Sequence, residues 1–163
     1  THTMNVFGER QHPEKFIPKC IISARDGLSV EIHSNKKKTK AGSRHYIHAN
    51  DVADGCLFLI ENRKRIKKQV SNDYGGAKCP KFNLVGPIEL DNLELAKLIA
   101  SSVGKKLKYK MVDFHSSRPG HDLRYALDGK LMKELGWKPK ISIEERIDQV
   151  VNWTLQNKRW LKV

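Results

Sequence analysis

Two capping signals fix where helices begin in this chain, and they constrain the fold more than any other feature. Asp91-Asn92-Leu93-Glu94 and Ser142-Ile143-Glu144-Glu145 each place an N-cap side chain three residues before a Glu. At that spacing the two side chains can each bond the other's backbone N–H. The first predicts a helix to about Val103, with Gly104 as its stop. The second predicts a helix carrying Ile143, Ile147, Val150, Val151 and Leu155 on one face. Strand signals fall between such helices. His2–Phe7 reads as a strand closed by Gly8, Leu28–His33 and Lys108–Asp113 alternate, and His45–His48 and Phe82–Val85 are short apolar runs. A helix is expected over Lys15–Ala24, stopped at Asp26-Gly27, and another from an Asn50 cap to about Glu61, burying Val52, Leu57, Phe58 and Ile60. Arg63–Lys68 reads as the frayed end of that helix plus a loop. A short helix is expected over Gly129–Leu135. Strands alternating with helices argue for an α/β fold.

The 163 residues suit one domain, and 39% hydrophobic residues suffice for its core. No apolar run reaches the roughly 20 residues that cross a bilayer, so no membrane partner is expected. The chain starts at Thr1 and passes at once into structured sequence, which reads as a piece of a longer polypeptide. The formal charge of +13 favours anionic partners, whether phosphate-bearing small molecules, nucleic acid or acidic protein. Cys20, Cys56 and Cys79 form no CxxC pair and read as reduced thiols of a cytoplasmic protein. His45 and His48 would point to opposite sides of a strand, so no metal site is expected. No GxGxxG or GxxGxxG follows a strand, and no YxxxK occurs, so the chain shows neither a dinucleotide-phosphate loop nor that catalytic pair.

Four features could carry chemistry. Arg118 precedes Pro119-Gly120, a stiff turn that could present a guanidinium to a diphosphate; an ordinary loop explains it as well. Asn5, at a strand end before Gly8, could offer its amide to a ligand or merely close a turn. Arg44 follows the basic loop Ser34–Ser43 and is either an anion ligand or a solvated cation. Asn83, inside an apolar strand, needs a polar partner, which a ligand or a neighbouring backbone could supply.

Taken in order, NVFG, PEKFIP, an Arg before a short strand and an Asp-Val-Ala helix, FNLVG, RPGHDLRYALD and LGWKP resemble one family. It is the C-terminal half of the extended short-chain dehydrogenase/reductases, closest to dTDP-glucose or UDP-glucose 4,6-dehydratases. The resemblance covers essentially the whole chain. It implies the C-terminal part of a Rossmann-like epimerase/dehydratase fold with its small substrate-binding domain, over residues 1–163, the N-terminal NAD-binding portion lying outside this chain. It implies substrate contacts from Asn5, Lys15, Phe16, Ile17 and Pro18, with Glu31, Ile32 and His33 flanking the base. Arg44 and Arg118 would clamp the diphosphate, Asn83 would bond the nucleotide, and His121, Asp122 and Tyr125 would complete that wall. No catalytic residue of the family falls in this chain. NAD would be the cofactor of the parent enzyme and would not bind this chain alone.

The implied activity of the parent is a lyase reaction, dTDP-glucose to dTDP-4-keto-6-deoxyglucose in deoxysugar biosynthesis, with this chain inactive by itself. The partners would be a nucleotide-diphosphate sugar and the N-terminal half, and strands lacking neighbours would favour self-association. A UDP-sugar dehydratase or epimerase is the near alternative. A basic nucleic-acid-binding module is disfavoured by the lack of a recognition motif and by 7% aromatics. A non-catalytic interaction module is a further alternative.

Overall fold

A computed structural model describes residues 1–70, 80–113 and 122–161. The fold is α/β, with two cores on either side of a set of short parallel strands. The strands are β1 (His2–Thr3), β2 (Val6–Phe7), β3 (Ser29–Ser34), β4 (Ser43–His45), β5 (Ile47–His48), β6 (Asn83–Leu84), β7 (Glu89–Asp91), β8 (Lys108–Asp113) and β9 (Arg124–Tyr125). The helices are α1 (Phe16–Asp26), α2 (Ala49–Glu61), α3 (Arg63–Val70), α4 (Asn92–Ser102), α5 (Lys130–Glu134) and α6 (Ile143–Gln156), followed by a 3-10 turn over Lys158–Leu161.

The first core is a helix layer on a strand pair. In β3, Val30, Ile32 and Ser34 point inward and are buried, as its period of two requires. β8 runs parallel to it, with Glu31 opposite Lys110 and His33 opposite Val112. α4 buries Leu95, Ala96, Ile99 and Ala100 between α1 and α6. Its expected capping box is complete: the Asp91 carboxylate accepts from Leu93 N and Glu94 N, and Glu94 accepts from Asp91 N. At Ser142 the forward bond forms, with the hydroxyl accepting from Glu145 N at 3.1 Å. α1 stops at Gly27 and α4 is followed by Gly104, with φ of 69° and 72°, the left-handed geometry that glycine adopts without strain.

The second core gathers Ile47, Leu84, Phe82, Met132, Leu135 and Trp137 around α2, α3 and α5. Here several expectations are corrected. His2–Phe7 is not one strand: the chain breaks at Asn5 (φ 51°), so that β1 pairs with β6 and β2 with β5, both in parallel. β1 and β6 thus pair with each other in a two-stranded sheet. His45–His48 also divides, at Tyr46, because Gly86 crosses there so closely that a Cβ on it would lie 1.9 Å from Tyr46 O. The cap of α2 is His48, whose Nδ1 accepts from Asn50 N at 3.2 Å, and not Asn50. Leu57 and Ile60 are more than half exposed; α2 turns its small side inward, with Gly55 against Leu84 and Trp137. Residues 63–70 form a helix, because Ile66 and Val70, four apart, both bury in the second core.

Candidate functional site

The three-stranded sheet β7-β4-β9 is the platform of the site. β4 pairs antiparallel with β7 and parallel with β9. Partners across a ladder share a face, so Ser43, His45, Glu89 and Arg124 lie on one side and Arg44, Leu90 and Tyr125 on the other. Each side opens on a cavity.

The Arg44 side opens on a cleft of about 1000 Å³. Lys15, Phe16 and Ile17 line it from the start of α1, Glu31 and His33 from the outward face of β3, and Asn5 from the break between β1 and β2. These seven expected contact residues therefore converge on one cavity. Asn5 reaches its place through left-handed backbone, which Asn tolerates better than most residues, and its Nδ2 donates to His45 O at 3.4 Å.

Arg44 does more than face the cleft. Its Nη1 donates to Ser43 O (2.7 Å) and Leu123 O (3.1 Å), and its Nη2 to Asp122 O (3.1 Å). A guanidinium has five N–H donors. Three are bonded here, which leaves the Nε–H and one Nη2–H for a ligand. Arg44 is thus pinned by carbonyls and positions the 122–123 backbone beside the cleft. Tyr125, half exposed, is its direct partner across β4–β9.

Other expected residues lie elsewhere. Pro18 and Ile32 are buried and do not line the cleft: Pro18 sits in the first turn of α1, and Ile32 points to the core side of β3. Asn83 lines the cavity on the other side of the sheet, about 600 Å³, where its Nδ2 donates to Asp128 O at 2.9 Å. Its polar partner is a neighbouring backbone. Asp122 contributes its carbonyl to Arg44. Arg118 and His121 lie outside the described residues.

The cleft also contains residues that motif reading missed. Lys19 and Ser23 follow Lys15 at steps of four along α1, and Ser29 precedes Glu31 by two on β3, so periodicity alone would have found them. Tyr46 and Asn92 form its floor, the phenol donating to Asn92 Oδ1 at 2.6 Å. Burial pushes that phenol well above its ordinary pKa, so it stays a donor. The cleft lining carries the cations Lys15, Lys19 and Arg44 against the carboxylates Glu14 and Glu31. On the opposite face Arg124 and Ser43 both bond Glu89 and hold its carboxyl down at about 2, Arg124 contributing most. Among the described residues no group of three or more His, Cys, Asp and Glu could hold a metal ion.

Residues 1–72, which supply most of the cleft lining, match the NAD dependent epimerase/dehydratase family. The chain is related to that family. Over 155 residues it is 34% identical to the low-salt glycan biosynthesis protein Agl12 of Haloferax volcanii, covering 95% of this chain and 44% of that protein. It is 32% identical to a dTDP-glucose 4,6-dehydratase of Haemophilus influenzae, covering 96% of this chain and 44% of the relative. Among solved structures it resembles DesIV, a dTDP-glucose 4,6-dehydratase of Streptomyces venezuelae crystallised with NAD. The TM-score is 0.74 and the identity 29%, over 98% of this chain and 45% of a double mutant of that enzyme. The chain thus spans less than half the length of the family members it matches.

Proposed function

We propose that this chain is the substrate-binding part of an NAD-dependent nucleotide-sugar 4,6-dehydratase of the dTDP-glucose type, its NAD-binding part belonging to a longer polypeptide. The observation that carries the reading is the convergence of Asn5, Lys15, Phe16, Ile17, Glu31, His33 and Arg44 on one cleft. A cavity of that size suits a nucleotide sugar. In the proposed pose the diphosphate lies against the remaining Arg44 donors, a fork suited to phosphate oxygens. Lys15 and Lys19 add point charges, and Glu31 and His33 face the base. Arg118 would add a second guanidinium.

The chain's glycines fall at no dinucleotide-binding spacing, so its own residues do not fit NAD. NAD, bound by the parent enzyme, would supply the hydride chemistry; this chain would bind and orient the substrate.

Calorimetric titration with dTDP and with UDP tests the reading. The chain should bind at least one of them, and Arg44→Ala should weaken that binding by about tenfold or more, the worth of one charge-assisted bond. No heat with either nucleotide, or unchanged affinity in R44A, would overturn it. Incubation with NAD and dTDP-glucose should leave the sugar unchanged.

A further inference from the structure

The helix pair α2–α3 carries a surface that the cleft does not use. Leu57 and Ile60 stand 56% and 58% exposed, three residues apart on α2. Directly after them α3 presents Arg63, Lys64, Arg65, Lys67 and Lys68, all exposed, while its Ile66 and Val70 are buried. Between Leu57 and Val70 the only acidic residue is Glu61.

Four of these cations, Arg63, Lys64, Arg65 and Lys67, are not spent on carboxylates of the described residues. Arg65 donates to Leu135 O at 3.0 Å and lies over the Phe58 ring, and Arg63 reaches Ile60 O at 3.4 Å. Among the described residues Arg63, Lys64, Arg65 and Lys67 form no ion pair. α3 is therefore anchored by its apolar side and holds a fixed array of positive charge outward, next to two projecting aliphatic side chains.

We infer that this face docks on an anionic lipid surface. Cations that seek headgroups, adjoining aliphatic chains that enter the acyl boundary, are what such a surface recognises. The alternatives use only part of the arrangement. Nucleic acid would engage the cations but has little use for Leu57 and Ile60. A helical peptide needs a groove, and neither cavity described above includes any residue of α2 or α3. A second copy of this face would bring like charges together. Among the described residues no helix is long and apolar enough to cross a membrane. That excludes helical spanning by those residues, not adsorption, and the expectation of no membrane partner rested on spanning alone.

Co-sedimentation of the chain with vesicles tests the inference, using phosphatidylcholine alone or with about 30% phosphatidylserine at physiological salt. Binding is expected only to the anionic vesicles. Each cation near such a surface contributes about fivefold to partitioning, so K64E/K67E should weaken it by about 25-fold or more. L57S/I60S should weaken it by about tenfold, since buried methylenes drive the insertion. All four residues are exposed, and circular dichroism checks that the variants fold. The control is K36E/K37E/K38E in the β3–β4 connection, on the other core. It changes the net charge more and should alter adsorption by less than about twofold.

Failure to sediment with anionic vesicles would overturn the inference. So would an unchanged L57S/I60S, the result expected if another protein segment covers those side chains. Equal losses from the β3–β4 control would reduce the effect to net charge and overturn it too. Salt-dependent retention of single-stranded RNA that K64E/K67E abolishes, with no vesicle binding, would reassign the face to nucleic acid.

Discussion

Arg146 on α6 grips Asp51 in the first turn of α2 with two guanidinium nitrogens, Nε to Oδ2 at 3.1 Å and Nη2 to Oδ1 at 2.5 Å. Both side chains are nearly out of water. The pair ties the helix layer of the first core to the helix that begins the second. Removing one partner of a buried pair strands the other charge and costs about 3–5 kcal/mol. Arg146→Ala should lose about that much in urea unfolding. The double variant D51A/R146M, which buries no charge, should be more stable than D51A alone. A loss under about 1 kcal/mol in R146A would show that the pair does not hold the two cores together.

Gly86 and Tyr46 make a second junction. A Cβ at position 86 would meet the Tyr46 carbonyl oxygen at 1.9 Å, and backbone there cannot swing aside as a side chain would. Overpacking usually costs about 1–3 kcal/mol, and a backbone clash lies at or above the upper end. Gly86→Ala should therefore unfold at clearly lower urea. Tyr46 floors the cleft and Gly86 lines the other cavity, so the variant should also weaken nucleotide binding. Wild-type stability in G86A would mean that the two segments do not cross so closely.

Local signals made the helices legible. Asp91 and Glu94, Gly27 and Gly104 act within one turn of chain, and each sits where the spacing predicted. What could not be read is what depends on distant partners. The breaks at Asn5 and Tyr46 arise because β1 and β2 pair with different strands and because Gly86 crosses Tyr46. The inward face of α2 follows from Trp137 packing on Gly55, a contact 82 positions away, so the apolar Leu57 and Ile60 misled. Arg44 stands out in the sequence by its place after the basic loop, whereas Lys15 and Glu31 are expected in the cleft only through the family resemblance. Asn83 lies on β6, which pairs with β1, and lines the other cavity, a placement that no local signal announces.

His48 gives the protein an acid-sensitive joint. Its Nδ1 accepts from Asn50 N, which places the proton on Nε2, 3.3 Å from Glu9 Oε2 though not aligned for a hydrogen bond. Burial holds the imidazole below its ordinary pKa of 6.5; Glu9 and Asp51 oppose that shift, and Arg146 reinforces it. Above about pH 6.5 the ring is neutral folded or unfolded and contributes no pH dependence. Below it the unfolded chain takes up a proton that the native state resists, so stability falls as pH drops. His48→Asn keeps a cap-forming side chain and removes the titration. Between pH 7.5 and 5.5 the wild type should lose more Tm than H48N; equal losses would rule His48 out as the cause.

Glu89 titrates with the same sign, further into acid. Arg124 reaches its carboxylate through Nε and Nη2, both at 2.8 Å, and Ser43 Oγ donates at 2.6 Å. Together they hold its folded pKa at about 2, against an ordinary 4.5. A depressed carboxyl contributes stability that is fully present above about pH 4.5 and lost as pH falls towards 2. The pair bridges β7 and β9 across β4, so protonation loosens the sheet that carries Arg44. Carbon-13 NMR of the Glu89 carboxyl should show its midpoint near 2 in the wild type. Arg124→Ala should move that midpoint most of the way back to 4.5, and Ser43→Ala should move it by less, in the order of the two contributions. A wild-type midpoint at 4.5 would mean that the Arg124 fork is open in solution and that β9 is not held to β7 by charge.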